Sequence, residues 1–471
     1  MTHPVLSLRP SRPAREDFRR LLALALPVVL VQLGIMAMGV AHTMMLGRVS
    51  AADLAAGAIG NLYVMTACAI GWGILMALDP IVAQAAGAGD ETGLRHGIQR
   101  GLLLAVLLSG VTALALAPAR AVFVASHQPT EVVPLAARYV ALSVPGLLPF
   151  FAFIALRQSL QALRRMAPIV ATILVANAVN LVLGWMLIFG AAGVPRLGAA
   201  GAGVAATLTR WIMALALLAL GWRELAPRLR SWDRAALTVR PLVGMLALGL
   251  PIGIQLVLEI GVFSVVGLLM GRLGTATVGG HQVAINVASV SYMVPAGVAG
   301  AAAVLVGQAI GAGDAPRARR AAAASLVAGA GFMLASGLTL SLAPRAIAGL
   351  YTSDPGVIAI TARLLLLAAI FQVFDGIQVV GIGVLRGAGD TRVPMLVNLL
   401  GYWLLGLPVS LLFGFGLKGG AVGMWWGLVL GLVVVAIVIL ARVAARLRGE
   451  LARVPIEARG APERAPALGE A

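Results

Sequence analysis

Long apolar runs separated by short polar segments predict twelve helices in this chain. A helix needs about 20 apolar residues to cross the hydrocarbon core of a bilayer, and each run provides roughly that length or more. The runs are continuous rather than alternating, which favours spanning helices over the strands of an outer-membrane barrel. The sequence therefore predicts an all-α integral membrane protein. The predicted helices cover about Leu21–Leu46, 54–86, 97–118, 134–157, 168–190, 199–222, 242–270, 278–310, 317–343, 356–385, 394–415 and 420–445.

The second half of the chain repeats the first at a constant interval. LGRVS at 46–50 matches MGRLG at 270–274, and AQAAGAGD at 83–90 matches GQAIGAGD at 307–314. Because six is an even number, two six-helix halves enter the membrane from the same side and form a parallel repeat. The predicted domains are an N-terminal segment 1–20, a six-helix bundle 21–222, a linker 223–241, a second six-helix bundle 242–445 and a disordered tail 446–471.

Composition and charge placement fit a membrane protein. Of the 471 residues, 60% are hydrophobic and 11% are charged, whereas a soluble domain carries about 25% charged residues. The net charge of +17 invites a nucleic-acid partner, but no basic domain interleaved with aromatic residues exists. The arginines instead concentrate in alternate short loops, which predicts that both termini lie on the cytoplasmic side of the membrane. A single cysteine, Cys68, excludes an intrachain disulfide and a cysteine metal cluster.

The tetrapeptide GAGD occurs at 87–90, 311–314 and 387–390. A nucleotide-binding loop would need a preceding strand, but each copy follows an apolar helix. The pattern therefore indicates turns, in which glycine ends one helix in the left-handed conformation and Asp90 or Asp314 caps the next.

The region around predicted helices 7 and 8 carries the strongest candidate chemistry. Glu259 lies near the middle of a spanning segment, where a charge costs at least ~2.5 kcal/mol on insertion scales. Gln282, Asn286 and Ser289 follow on the next helix at i, i+4 and i+7, so they share one face. We expect Glu259, Gln282 and Asn286 to contribute to a cation-binding site that faces a polar cavity.

A second carboxylate, Asp375, lies deep in predicted helix 10. Phe371 and Gln378 flank it at i−4 and i+3, and Gln255 flanks Glu259 at i−4. Two carboxylates around one cavity can share a proton, or a sodium ion together with amide and backbone oxygens. The alternative is a structural ion pair with a buried arginine, but no arginine lies at comparable depth in the second half.

Three polar residues of the first half are secondary candidates for coupling or substrate binding. Asp79 precedes Pro80 in predicted helix 2, where it either takes part in coupling or hydrogen-bonds to backbone that the proline loosens. His42 in predicted helix 1 is either a satisfied interhelical histidine or part of a proton path. Asn180 in predicted helix 5 is its candidate partner.

Taken together, these motifs resemble the multidrug and toxic compound extrusion (MATE) family of the bacterial NorM type. The resemblance covers about residues 20–445 and includes LPIGIQLVLEIG followed by GGHQVAIN, FDGIQVVGIGVLRGAGDTRVP, and AQAAGAGD. It implies twelve helices in two bundles around a V-shaped cleft. The implied activity is export of cationic or amphipathic compounds against inward Na⁺ or H⁺. The family's helix-7 glutamate matches Glu259, and its helix-10 aspartate matches Asp375.

The chain departs from the family pattern at three positions. His42 and Gly184 stand where many bacterial members carry an aspartate and an asparagine or aspartate. Phe371 stands where some sodium-coupled members have a tyrosine, while the Asp79–Pro80 pair is found in members that use protons. The coupling ion stays open between H⁺ and Na⁺, and no other cofactor is expected. In the sodium case, Glu259 and Asp375 would be the metal ligands.

Three other functions are weighed against an antiporter. A lipid-linked precursor flippase of the same superfamily would need a large cationic cavity, yet Arg210 is the only arginine placed within a predicted span. A channel would share the topology but would not accumulate substrate. A membrane enzyme would need clustered catalytic groups, and none is predicted because the five histidines are scattered. We expect a transporter of small molecules that functions as a monomer.

Overall fold

The computed structural model describes residues 13–191 and 193–455, and this part of the chain contains helices and no strand. Twelve of its helices are long and apolar enough to cross a membrane, which confirms the all-α prediction. We number them α1 to α12 in chain order. Their bounds are Arg15–Gly47, Ala51–Gly87, Glu91–Leu116, Val132–Ala162, Ala167–Phe189, Ala199–Leu220, Val239–Leu273, Thr275–Gly311, Ala315–Leu342, Pro355–Gly387, Arg392–Gly416 and Gly420–Arg448.

Several helices extend beyond their predicted ends. The helix α1 begins at Arg15, inside the predicted N-terminal segment, and its first turn carries Glu16 and Asp17, whose charges interact favourably with a helix N-terminus. The short helix Trp222–Leu229 begins one residue before the predicted linker, and the 3₁₀ turn Arg234–Leu237 lies inside it. These ends are polar, so apolar runs alone do not reveal them. Residues 1–12 and 456–471, which include most of the predicted disordered tail, lie outside the described residues.

Two spanning helices are interrupted where the chain contains proline. In α2, the amide of Asp79 donates to the carbonyl oxygen of Met76 at 3.1 Å, one residue ahead of Pro80. Proline has no amide hydrogen, so the ladder tightens into this shorter turn. In α4, the 3₁₀ turn Val144–Gly146 contains Pro145.

The GAGD segments form the predicted turns. Gly89 and Gly313 adopt φ values of 67° and 71°, which side chains disfavour and glycine tolerates. The Asp90 carboxylate accepts from the amide of Gly93 at 2.8 Å, and Asp314 accepts from that of Arg317 at 2.9 Å. Both predicted caps are therefore confirmed.

The described residues form two compact units, and α1 and α7 are each divided between them. The N-unit contains Leu33–Ile260, Gly389–Leu396 and the described residues of Ala452–Ala471; the C-unit contains the described residues of Met1–Gln32, Gly261–Ala388 and Val397–Leu451. The predicted boundaries of the two six-helix bundles remain a prediction.

Within the N-unit, α2 and the first half of α7 approach backbone to backbone. A Cβ atom built on Gly73 would lie 2.2 Å from the backbone nitrogen of Gly253. One built on Gly249 would lie 2.4 Å from the carbonyl oxygen of Ile74. Such an approach of small residues is how spanning helices gain packing energy without a hydrophobic driving force.

Within the C-unit, the first half of α1 packs against α8 and α9. A Cβ atom on Gly297 would lie 2.4 Å from a methyl carbon of Val29, and Arg320 lies 3.5 Å from the carboxylate of Asp17. The hydroxyl of Ser291 on α8 also receives hydrogen bonds from Gln372 on α10 and Ser336 on α9, at 3.2 and 3.1 Å.

The linker is held against the start of α3 by polar contacts. Arg95 and His96 reach one oxygen of Asp233 at 2.7 and 3.0 Å, and the amide of Gln99 donates to two linker carbonyls. The hydrogen bond from His96, together with one from the amide of Ala235, lowers the pKa of Asp233 to about 2.

We predict that Gly73→Ala destabilises the protein by about 1–3 kcal/mol, because overpacking must push two backbones apart. Thermal unfolding in detergent provides the measurement. Gly110→Ala on α3 is the matched control, since a Cβ at that position meets nothing within 4 Å. Equal melting temperatures for Gly73→Ala and the parent protein would contradict the described α2–α7 contact.

A second prediction concerns the docked linker. Because the pKa of Asp233 falls from 3.8 to about 2 in the folded protein, its stabilising contribution is complete above about pH 4 and is lost as the pH falls through 2. Hydrogen exchange of Arg234–Leu237, corrected for intrinsic rates, should therefore accelerate over that acidic range. Asp233→Asn should show the fast exchange already at neutral pH. Unchanged protection in that variant would exclude Asp233 as the anchor.

Candidate functional site

Glu259 lies in the middle of α7 and belongs to the N-unit. Its side chain is partly exposed, and it forms no hydrogen bond or ion pair within the described residues. Gln255, one turn earlier, is buried. The alternative of a structural pair between Glu259 and an arginine is thus not seen in this part of the chain.

The residues of the predicted polar face of α8 are exposed or partly exposed. Gln282 is exposed, whereas Asn286 and Ser289 are partly buried. Asn286 donates to the carbonyl oxygen of Gln282 at 2.8 Å, and Ser289 donates to that of Ile285 at the same distance. These donors are satisfied by their own helix, so the side-chain oxygen of Asn286 remains an acceptor that a cation could use.

Asp375 is buried in the C-unit on α10, with both of its predicted neighbours buried beside it. One turn later, Gln378 accepts a hydrogen bond of 2.6 Å from the hydroxyl of Tyr402 on α11. One turn earlier, the ring of Phe371 lies 6.2 Å from that of Phe263 on α7. Asp375 therefore stands between an ordered amide and an aromatic cluster.

The aromatic cluster includes a histidine that the sequence did not connect to any partner. The ring of Trp425 lies 6.3 Å from that of Phe371, and its indole nitrogen donates to Nδ1 of His281 at 3.1 Å. A nitrogen that accepts a hydrogen bond carries no proton, so this geometry assigns His281 the neutral form with its proton on Nε2. His281 thus contributes packing and orientation rather than positive charge.

The predicted pairing of His42 with Asn180 is confirmed. The side-chain amide of Asn180 lies 3.0 Å from Nε2 of His42 and donates to the hydroxyl of Thr209 at 3.3 Å. A Cβ on Gly184 would lie 3.4 Å from the imidazole. Two of the departures from the family pattern are therefore neighbours in space.

Asp79 is fully buried at the interruption of α2. Gln158 on α4, itself buried, donates to its Oδ1 at 2.8 Å. The carboxylate thus ties two helices of the N-unit together, and its part in coupling stays a prediction.

The side chain of Arg210 in the N-unit has aromatic neighbours that the sequence does not reveal. Arg210 lies near the middle of α6, and its Cζ stands 5.1 Å from the centre of the Phe150 ring on α4. The ring of Trp72 on α2 lies 6.4 Å from the same phenyl ring. The three residues come from separate helices with no shared periodicity, so the sequence offered no signal beyond an arginine within a span.

The residues predicted for a cation site are divided between the two units. Glu259 and Gln255 belong to the N-unit, and Asp375, Gln282 and Asn286 belong to the C-unit. Within the described ranges, no three His, Cys, Asp or Glu side chains form a group that could hold a metal. A sodium ion would consequently depend on amide and backbone oxygens in addition to carboxylates.

Comparison with known proteins gives a consistent result over most of the chain. The MatE family model matches residues 27–186 and 251–412. The multidrug resistance protein NorM of Burkholderia vietnamiensis is 39% identical over 426 residues, covering 88% of this chain and 91% of that protein. MdtK of Pectobacterium atrosepticum, also named a multidrug resistance protein, is 34% identical and covers 93% and 97%.

Solved structures share the fold at lower identity. The eukaryotic MATE transporter AtDTX14 superposes with a TM-score of 0.84 at 23% identity, covering 92% of this chain and 98% of that one. The bent form of the Vibrio cholerae MATE transporter VcmN gives 0.79 at 18% identity, with 92% and 97% covered. The family model, the two relatives and the fold agree, and the chain therefore belongs to the MATE family of multi-pass membrane transporters.

Proposed function

We propose that this protein is a cation-coupled antiporter that exports cationic or amphipathic small molecules across the inner membrane. Its relatives in Burkholderia and Pectobacterium are named multidrug resistance proteins, which supports multidrug efflux here. The observation that supports coupling to a cation concerns Glu259. This carboxylate lies at the middle of a spanning helix and has no fixed countercharge among the described residues. Such a group is costly in a bilayer unless a mobile cation or proton neutralises it.

In the proposed transport cycle, neutralisation of the Glu259 carboxylate drives the exchange of substrate for the coupling cation. In the outward-open state, a cation from outside binds Glu259 and Asp375, assisted by Gln282 and Asn286. Its charge weakens the hold of the carboxylates on a cationic substrate, which leaves to the outside. The helices then rearrange and the coupling cation is released inside. Each ligand must bind the two states with different affinity, because otherwise no free energy passes between them.

The coupling ion is either H⁺ or Na⁺. The buried contact between Asp79 and Gln158 provides an ionisable group in the N-unit, as a proton path would need. The acceptor oxygen of Asn286 on an accessible helix face would suit a sodium ion. His42, Asn180, Gln255, Phe371 and Gln378 are secondary residues in this proposal, acting on coupling or on substrate.

A flippase for lipid-linked precursors is the alternative, and it is disfavoured. It would need many cationic groups around one cavity to bind pyrophosphate, and the two relatives described above are named multidrug resistance proteins. The proposal further places both termini in the cytoplasm, from the arginine-rich alternate loops, and assigns function to the monomer.

We predict that Glu259→Gln and Asp375→Asn each reduce ethidium efflux to the level of empty vesicles, because neither amide can exchange a charge. Both variants should retain the size-exclusion profile and helical signal of the parent protein. Glu131→Gln, at an exposed position, is the control and should transport normally. Full efflux by either site variant would remove that carboxylate from the mechanism.

The coupling ion can be identified in proteoliposomes that contain the purified protein. A sodium gradient directed out of the vesicles at equal pH and a proton gradient directed out of the vesicles without sodium are imposed separately, so that an antiporter takes up ethidium as the cation leaves. We expect one of the two to drive ethidium accumulation against its own gradient in the wild type and neither to do so in Glu259→Gln. Equal equilibration of ethidium without either gradient would identify a channel instead of an antiporter.

A further inference from the structure

The guanidinium of Arg210 lacks the partners that a buried arginine normally has. Its Nη1 is buried and makes no hydrogen bond to any described residue. Glu259, an intramembrane carboxylate of the N-unit, forms no ion pair with it. The Phe150 face offers a cation–π contact, but a ring face occupies none of the five N–H donors as a hydrogen-bond acceptor would.

The position of Arg210 is fixed by its neighbours on α6. Thr207 donates to the carbonyl oxygen of Leu142 at 2.7 Å, and Trp211 donates to that of Pro145 at 3.2 Å. Both carbonyls lie at the interruption of α4. A Cβ on Gly146 would lie 3.2 Å from Cδ of Arg210. The turn thus anchors α6 on both sides of Arg210 and leaves space for its side chain.

A second buried donor lies at the same phenyl ring. Nε1 of Trp72 is buried and has no hydrogen-bond acceptor among the described residues. The Trp72 and Phe150 rings meet edge to face at 6.4 Å, and the Phe151 ring contacts that of Phe150 in the same way at 5.4 Å. Two donors without acceptors therefore flank a fixed aromatic surface.

An oxyanion attached to an aromatic body matches this arrangement. A carboxylate can accept from a guanidinium in a bidentate manner and from an indole N–H, and the attached ring system can stack on Phe150. Arg210 lies about 15 Å from either end of α6 at a rise of about 1.5 Å per residue. A group at that depth is reached more easily by a small amphipathic molecule in transit than by a lipid headgroup at the interface.

We propose that Arg210, Trp72 and Phe150 form a subsite for the carboxylate of an amphipathic aromatic substrate. The proposal rests on the exporter function above and names one chemical class of cargo for it. The subsite lies wholly within the N-unit and uses neither Asp375 nor the α8 face. It predicts that the transporter distinguishes an aromatic acid from the ester of the same molecule.

The test measures binding of carboxyrhodamine and of its methyl ester by fluorescence anisotropy, with the full chain in phosphatidylcholine nanodiscs. The wild type should bind the acid about tenfold more tightly than the ester, the ratio expected for one charge-assisted interaction. Arg210→Gln should abolish this preference by weakening the acid alone. Phe150→Leu should weaken both dyes, because each loses the ring face.

Arg138→Gln, an exposed position on the same helix as Phe150, is the control and should preserve the preference. Equal binding of acid and ester by the wild type, or a preserved preference in Arg210→Gln, would overturn the proposal. The wild-type comparison needs no variant, so a folding defect in Arg210→Gln does not weaken the test. Glu259→Gln should keep the dye preference while losing efflux, which separates failure of this subsite from failure of the antiport mechanism.

Phosphatidylglycerol provides the competing source of an oxyanion. Native mass spectrometry should show the same phosphatidylglycerol occupancy for the wild type and Arg210→Gln, and adding this lipid should leave the dye preference unchanged. The proposal would be contradicted if the wild type alone retained phosphatidylglycerol and lost its dye preference when this lipid was added. The guanidinium would then bind a lipid phosphate.

Discussion

A polar group inside a bilayer has no water to bond with, and this constraint shapes every part of the molecule described above. Backbone amides and carbonyls are satisfied within helices, and the breaks in those helices are satisfied by neighbours. At the interruption of α4, the hydroxyl of Thr207 on α6 donates to the carbonyl oxygen of Leu142. At the interruption of α2, the carbonyl of Met76 is taken by Asp79. Among the described residues, the carboxylate of Glu259 and the Nη1 of Arg210 still lack a partner at this depth, and a ligand is proposed for each.

The sequence predicted the features that depend on local patterns. Twelve apolar runs gave twelve helices, and the GAGD turns were predicted because the conformational freedom of Gly89 and the capping by Asp90 are properties of a few adjacent residues. The pairing of His42 with Asn180 was also anticipated, since two polar residues in apolar helices of one bundle have few other partners. The predictions of the helices and turns needed no knowledge of how distant helices pack, whereas the pairing of His42 with Asn180 rested on the scarcity of polar partners in apolar helices.

What the sequence could not give depends on contacts between helices far apart in the chain. Nothing in the apolar pattern connects Tyr402 with Gln378, or the indole of Trp425 with His281. The helix α1 was expected to start later because its first turn is charged, and an apolar run does not include such a turn. The close approach of Gly73 to Gly253 likewise follows from packing, because glycine is common in spanning helices and its presence alone predicts no contact.

Glu259 and Arg210 together show why the unpaired charges matter more than the paired ones. A structural role would be met best by letting opposite charges neutralise each other, as Asp17 and Arg320 do in the C-unit. In the N-unit, the carboxylate and the guanidinium instead remain separate, without an ion pair between them. Each bears a desolvation cost of several kcal/mol in the absence of a ligand. A fold that keeps both charges apart retains one group able to exchange a cation and another able to receive an anion, which a fixed pair could not do.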